Sequence, residues 1–356
     1  MGPTSSPVES AAEAGLVYVT DDKPGITRSG DKSNFTYTDA KGQPVEDEAT
    51  LKRIRSLVIP PNWTQVWICP NPRGHLQATG RDAKGRKQYR YHSRYRASRE
   101  ETKYRKLSLF GKKLPGIRKK VQRDLDRKGL PKEKVLATVV RLMDLAHIRI
   151  GNEEYAQQNK SFGLTTMRNR HVKVKGSKIL FHFRGKSGQD HSLELEDRRL
   201  AAIVKRCRDL PGYELFQYVD ETGDHVSIDS GMVNEYLREI SGEDITAKDF
   251  RTWHGTVHAA TLLGNCEKAE CTEAELKRNV VAVVKEVANR LGNRPATCRK
   301  YYIHPLVLEA FEKGTLTLEQ GGRSIHLSPQ EQSVLKMLTE RPKRTRTVRA
   351  ALPAAA

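Results

Sequence analysis

Cysteine is scarce and scattered. The 356-residue chain has five, Cys69, Cys207, Cys266, Cys271 and Cys298, without CxxC spacing or a histidine cluster nearby, so neither a zinc site nor a disulfide framework is signalled. No apolar run approaches the roughly 18 residues of a membrane-spanning helix, and no amphipathic anchor stands out. The opening MGPTSSPVESAAEAG has no basic start and no apolar core, which argues against a secretory signal. The expectation is a cytoplasmic, nucleoid-associated protein whose residues 1–15 form a disordered tail. A GxxxxGK motif followed by Ser or Thr is also missing, so nothing marks an ATP-binding loop.

Positive charge is what the chain has in excess. Lys and Arg number 63 against 43 Asp and Glu, a formal charge of +20 and a pI near 9.7. That balance points to a polyanionic partner, and with no membrane segment in view the partner expected is nucleic acid. The length exceeds one typical core, so two domains plus tails are expected, and 37% hydrophobic residues suffice to fill them.

Texture changes along the chain. To about residue 100 it reads as a small sheet with a helix: β-rich segments at 17–19, 35–37 and 65–68, a turn at Asp39 to Gly42, and a helical pattern over 46–57 ended by Pro60-Pro61. Residues 101–113, containing FGKKLPG, read as a flexible basic linker. The second domain, 114–340, is mainly helical, with helices expected over 114–127, 132–148, 198–208, 231–240, 247–263 and 273–291. A three-stranded meander interrupts it at 172–174, 179–183 and 191–195. Gly292 falls where a left-handed helix cap is expected, and 341–356 reads as a disordered basic tail.

The segment LGNRPATCRKYYIHP sets Tyr302 nine residues after Asn293. Tyrosine can act as a nucleophile, but with a pKa near 10 its phenol is about 99.9% protonated at neutral pH, so it needs a cationic site. Three basic residues have settings unlike a solvated face: Arg149 ends an apolar helical face, Lys186 sits in FRGKSG at a strand connection, and Arg251 falls between Phe250 and Trp253. For each of them the plain surface-charge reading stays open at this point.

Taken together, IRIGNEEYA, FRGKSG, KDFRTWHGT and LGNRPATCRKYY resemble, in order and separation, the catalytic half of the type IB DNA topoisomerases of the poxvirus and bacterial kind. More distantly they resemble the tyrosine recombinases. In the amino-terminal half, ATGRDAKGRKQYRYH followed by RASREETKYRKL looks like the family's DNA-clasping domain, whereas recombinases usually carry a helical one. The resemblance implies an α+β fold, a small amino-terminal β-sheet domain and a larger, mainly α-helical catalytic domain forming a C-shaped clamp around DNA. It places the family's two arginines on Arg149 and Arg251, its lysine on Lys186 and its tyrosine on Tyr302. Many members have histidine where this chain has Asn293, so here an amide would donate a hydrogen bond to phosphate and could not carry a proton. Tyr301 adjoins the nucleophile and Cys298 lies in the same segment, but the spacing selects Tyr302 and no partner histidine stands beside Cys298.

The chemistry so implied is reversible transesterification through a 3′-phosphotyrosyl bond, relaxing positive and negative supercoils without ATP, metal or other cofactor. Arg149 and Arg251 would stabilise the phosphorane, and Lys186 would protonate the leaving 5′-oxygen. The partner would be duplex DNA, preferably supercoiled, bound by a monomer. Gln88, Tyr89 and Tyr91 lie on an apparent strand whose alternation puts the two tyrosines on one face, suited to a groove or to a core. Arg81, Lys84, Arg86 and Arg99 would contact phosphates, with Tyr155 and Lys248 as supporting contacts near the scissile one. The other readings are a tyrosine recombinase, which would work as a tetramer on paired sites, and a non-catalytic architectural DNA-binding protein.

Overall fold

A computed structural model describes residues 6–31, 34–266, 272–318 and 326–340, so the basic stretch 341–356 and Cys271 lie outside the described residues. The chain divides into two compact units, Met1–Arg105 and Lys106–Ala356.

In the first unit, helix α1 (Pro7–Glu13) precedes strands β1 (Ile26–Asp31) and β2 (Asn34–Thr38). Helix α2 (Glu48–Ser56), strands β3 (Thr64–Ile68), β4 (Leu76–Arg81) and β5 (Lys87–Tyr91), and the start of helix α3 (Ser93–Leu125) follow. The five strands make one antiparallel sheet in the order β2-β1-β3-β4-β5. Segments 35–37 and 65–68 fall within β2 and β3 as expected, while 17–19 makes only an isolated bridge from Val17 to Gly74. Asp47 caps α2 by accepting from the Thr50 N–H at 2.8 Å, and the helix delivers Ile54 to a core of Ile26, Val66, Ile68 and Ala78.

Two expectations about order give way here. Residues 7–13, within the expected disordered tail, are helical, because Ser6 and Glu9 form a reciprocal capping box and Ala11 and Leu16 bury against Tyr95. Residues 101–113, expected as a flexible linker, lie inside α3, and the boundary between the two units falls within that helix. The reason is burial. Leu107, Phe110, Leu114, Ile117, Val121 and Leu125 recur at helical spacing and all enter the second unit's core, which outweighs the local preference of Gly111 and Pro115.

The second unit continues with α4 (Lys132–Ala146), α5 (Glu153–Asn159), strands β6 (Val172–Lys175), β7 (Lys178–Arg184) and β8 (Asp190–Glu196), then α6 (Arg198–Arg208). A short hairpin, β9 (Gln217–Val219) with β10 (His225–Ser227), leads to α7 (Ser230–Ser241) and α8 (Ala247–Gly264). Then come α9 (Glu273–Arg290), α10 (Pro295–Tyr301), α11 (Pro305–Glu312) and α12 (Pro329–Thr339). Strands β6-β7-β8 form the expected antiparallel meander. The protein is thus α+β: a five-stranded amino-terminal sheet, then a mainly helical region with a small three-stranded sheet.

Helix α4 is the centre of this unit. Its expected apolar face of Val135, Leu136, Val139, Val140 and Met143 is buried, and so are Ala137, Thr138 and Leu142 on its other sides. Behind it lies a polar knot. The Arg118 guanidinium of α3 donates to both carboxylate oxygens of Asp144 (2.8 and 2.9 Å) and to both of Glu331 on α12 (2.8 and 2.9 Å). Trp253 Nε1 of α8 donates to Glu331 at 3.0 Å and His254 Nε2 to Asp144 at 3.0 Å, so one arginine ties four helices together.

Removing Arg118 takes away the one guanidinium that Asp144 and Glu331 share, leaving Asp144 to His254 and Arg141 and Glu331 to Trp253. Arg118→Ala is expected to lower the unfolding free energy by about 3–5 kcal/mol, read as a lower urea midpoint at unchanged slope. Although burial raises the Asp144 and Glu331 carboxyls, hydrogen bonds and nearby positive charge, led by His254 and Arg118 respectively, hold both below their ordinary values of 3.8 and 4.5. The knot's contribution is therefore complete above those ordinary values and is lost as pH falls through the lower folded-state values. The difference between wild type and Arg118→Ala should accordingly shrink in acid.

Candidate active site

The site is assembled at two helix ends. Helix α4 stops at Ala146, and His147 takes the left-handed conformation (φ 56°), with its N–H bonded to the Met143 carbonyl at 3.2 Å. That turn releases the chain as an extended segment carrying Arg149, whose own carbonyl accepts from the Leu164 N–H at 2.9 Å. Helix α9 stops at Arg290, and Gly292 takes the left-handed φ of 57° anticipated for it. Asn293 then bonds back through its N–H to the Ala288 carbonyl at 2.8 Å, and Pro295 starts the short α10, which Tyr302 caps at its carboxyl end.

A helix C-terminus presents unpaired carbonyls and the negative end of its dipole, which suits cations. Arg149 Nη2 donates to the Gly292 carbonyl at 3.0 Å and to Asn293 Oδ1. Arg251, on α8 and only 6% exposed, donates through Nη2 to the Leu291 carbonyl at 2.6 Å and through Nη1 to the His147 carbonyl. It therefore spans both helix ends. The Arg251 guanidinium carbon lies 5.2 Å from the centre of the Tyr302 ring, and the positive charges of Arg149 and Arg251 both act on the Tyr302 phenol.

Tyr302 is seated from behind by α8. A Cβ on Gly255 would lie 2.5 Å from the Tyr302 carbonyl oxygen and 3.2 Å from its Cβ, so only glycine admits the tyrosine this close. Thr256 Oγ1, one residue on, accepts from the His304 N–H at 3.1 Å and faces the Tyr302 carbonyl at 3.4 Å.

Electrostatics suit the site to an anion. Burial, aided by the charge of Arg149, brings Arg251 down from 12.5 to about 10, and burial lowers Arg149 as well. Both stay cationic at neutral pH without a carboxylate partner among the described contacts. Arg251 Nε and Asn293 Nδ2 are also buried and have no protein partner among the described residues. Two guanidiniums and an amide N–H therefore converge beside a phenol, with donors to spare for phosphate oxygens.

Four of the five expected catalytic residues thus meet: Arg149, Arg251, Asn293 and Tyr302. Lys186 is exposed on a 3₁₀ turn (Lys186–Gly188) between β7 and β8. Tyr301 is 47% exposed, and Cys298 is fully buried with its thiol pushed up to about 11 by burial, so neither competes with Tyr302. Reading the chain alone missed Gly255, Thr256, His147 and His191. The first two lie within KDFRTWHGT, but His147 and His191 matter through contacts distant in sequence.

The expected DNA contacts fall on several surfaces. In the first unit Tyr89 and Tyr91 share the exposed face of β5, 47% and 37% accessible, with rings parallel within 9° at 6.0 Å. They are not core residues. Gln88 lies on the opposite face and donates to Asp82 at 3.0 Å. Arg86 pairs with Asp82 at 2.6 Å, and chiefly that bond holds the Asp82 carboxyl at about 2. Arg81 is braced by Gln65 and the Gly85 carbonyl, both at 2.8 Å, while Lys84 and Arg99 are exposed. In the second unit Lys248 is exposed in the first turn of α8, one turn before Arg251. Tyr155 belongs to α5, and its side chain lies outside the described residues.

A tyrosine hydroxyl ringed by paired arginines defines a phosphoryl-transfer class of site in a basic α+β protein. Residues 92–324 match the family described as the catalytic core of eukaryotic DNA topoisomerase I, and residues 34–82 match the amino-terminal domain of bacterial DNA topoisomerase IB. DNA topoisomerase 1B of Acanthamoeba polyphaga mimivirus is 32% identical over 291 residues, 80% of this chain and 86% of the relative. DNA topoisomerase I of monkeypox virus is 22% identical over 233 residues, 65% of this chain and 70% of the relative. DNA topoisomerase 1 of Daucus carota is 29% identical over 131 residues, 35% of this chain and 15% of the relative. The chain belongs to the type IB DNA topoisomerase family, and it is an isomerase acting on DNA. No helix among the described residues is long and apolar enough to cross a membrane.

Proposed function

We propose that Tyr302, Arg149, Arg251, Asn293 and Lys186 carry the reaction of this topoisomerase. The Tyr302 phenol gives its proton to solvent as its oxygen attacks a DNA phosphodiester, a phosphorus–oxygen bond to the 3′-phosphotyrosine forms, and the bond to the 5′-oxygen breaks. Arg149 and Arg251 hold the non-bridging oxygens, and their planar forks remain charged at working pH. Asn293 Nδ2 donates to a non-bridging oxygen, and Lys186 delivers a proton to the departing 5′-oxygen as its turn folds over the bound strand. The 5′-hydroxyl then attacks back, so the ester bond stores the energy of resealing and ATP is not consumed. Superhelical strain drives rotation of the free end, and supercoils of either sign are removed.

The observation that carries this reading is the Arg251 guanidinium 5.2 Å from the Tyr302 ring, with Arg149 held beside it on the same α9 cap through the adjacent Gly292 carbonyl. We take a monomer as the working unit. Tyr89 and Tyr91 would enter a groove of the duplex, while Arg81, Lys84, Arg86, Arg99 and Lys248 would meet phosphates and Tyr155 would support the scissile one. A soluble enzyme resident on the nucleoid with a preference for supercoiled DNA fits this chemistry.

Supercoiled plasmid incubated with the protein in EDTA without ATP is the direct test. Positively and negatively supercoiled substrates should both relax to completion at substoichiometric enzyme, with the rate per enzyme independent of protein concentration. Relaxation that required ATP, or a rate rising with a higher power of enzyme concentration, would count against the scheme. Site-to-site exchange products would point instead to a recombinase.

A further inference from the structure

The imidazole of His191 is held between two glycines that each precede a proposed catalytic residue. Gly185 stands immediately before Lys186, and a Cβ there would lie 2.5 Å from His191 Cδ2 and 2.6 Å from Nε2. Gly292 stands immediately before Asn293, and a Cβ there would overlap Cε1 of the same ring and lie 3.0 Å from Nε2. The ring has a third support. It stacks on Phe183, its partner across the β7–β8 ladder, at 5.1 Å and 15°, and Phe183 is buried. The hairpin that bears Lys186 thus leans on the cap of α9 through one side chain.

This contact joins two parts of the site that are otherwise far apart in sequence. On one side, the Gly185 N–H bonds the Gln189 carbonyl at 2.7 Å and closes the turn carrying Lys186. On the other, the Gly292 carbonyl accepts from Arg149, and Asn293 begins the segment that ends at Tyr302. Arg149, Arg251, Leu291 and Gly185 line the same small cavity as His191. Burial, then the charges of Arg149 and Arg251, lower the imidazole from its ordinary value of 6.5, so the ring is neutral at neutral pH and adds no third cation.

We propose that His191 is a positioning residue for the proton donor: wedged between Gly185 and Gly292, its ring sets the register of the Lys186 turn against the Asn293 to Tyr302 segment. Close packing makes such a wedge effective, because a ring stacked on Phe183 and met by a glycine on each side of Nε2 has little room to move, and a shift at one glycine is transmitted to the other. The proposal rests on the reading of Lys186 as the general acid. It adds a residue that acts on the reaction by placing the Lys186 hairpin.

The test compares single-turnover cleavage of ordinary DNA with that of the same duplex bearing sulfur in place of the bridging 5′-oxygen, at a site mapped with the wild-type enzyme. A thiolate leaves without a proton, so a defect in proton delivery disappears on the sulfur substrate while a defect in nucleophile, arginines or folding persists. Lys186→Ala should be slowed about 10²- to 10⁴-fold on ordinary DNA and recover on the sulfur substrate. His191→Ala should be slowed about 10- to 100-fold on ordinary DNA and come within about 3-fold of wild type on sulfur, the scale of loss expected for a misplacement near 1 Å. The double variant should be no slower than Lys186→Ala.

Gly185→Ala supplies the second, opposite perturbation. It keeps the histidine but pushes a methyl into the ring, and it should show the same sulfur rescue. Pairing it with His191→Ala should make nothing worse. Equal slowing of His191→Ala and Gly185→Ala on both substrates would overturn the proposal, as would wild-type rates for both on ordinary DNA. Failure of sulfur to rescue Lys186→Ala would instead overturn the general-acid reading, and the positioning role with it. Rescue of Lys186→Ala without rescue of the other two leaves the acid in place and removes only His191.

Discussion

Tyr302→Phe is expected to stop plasmid relaxation and covalent complex formation altogether, a loss on the order of 10⁴-fold or more, as for other nucleophile deletions. The substitution removes one oxygen and keeps the ring, which packs against the core beside Gly255 and Leu291. Folding should therefore be unaffected, with the thermal midpoint within a few degrees of wild type. Non-covalent affinity for duplex DNA should also hold, because phosphate contacts supply most of it. The adjacent Tyr301→Phe is the control: its side chain is 47% exposed, and the variant should relax plasmid at the wild-type rate. Denatured reaction products read by gel would show protein linked to a 3′ end for wild type and Tyr301→Phe but not for Tyr302→Phe. Retention of the linkage in Tyr302→Phe would assign the nucleophile elsewhere and remove the argument built on the two guanidiniums.

Much of this arrangement was legible in the chain because it is written locally. Apolar spacing in α4, the meander with its glycine turns, and Gly292 at the end of α9 all follow from short-range rules of periodicity and capping. The residues of the site were legible for a different reason. Arg149 and Arg251 occupy settings where a solvated cation would be out of place, and Tyr302 has a spacing from Asn293 that family resemblance could interpret. What escaped was decided by partners far along the chain. FGKKLPG has the composition of a linker, yet Phe110 and Leu114 are fully buried and hold the helix through Pro115. His191 gives no local sign at all, and its setting depends on two glycines in other elements.

Arg251→Ala is expected to slow covalent cleavage about 10³-fold, or ~4 kcal/mol, the scale of losing one oriented donor to the transition-state charge. The geometry explains why the residue is so placed. Its guanidinium spans the carbonyls of His147 and Leu291 and still faces the Tyr302 ring at 5.2 Å, so a single planar group joins both helix ends to the proposed nucleophile. Lysine cannot span two carbonyls in this way, and Arg251→Lys should recover no more than a tenth of the lost rate. Stability carries the complementary sign. The pKa lowered from 12.5 to about 10 means that holding the charge destabilises the free fold at neutral pH, with relief only as pH rises through that interval. A phosphate in the site removes that cost, so a non-cleavable duplex should raise the thermal midpoint of wild type more than that of Arg251→Gln, which keeps a donor but no charge. Equal stabilisation of the two by DNA, or cleavage by Arg251→Ala near the wild-type rate, would show that Arg251 is a structural tie between α4 and α9 and not a phosphate ligand.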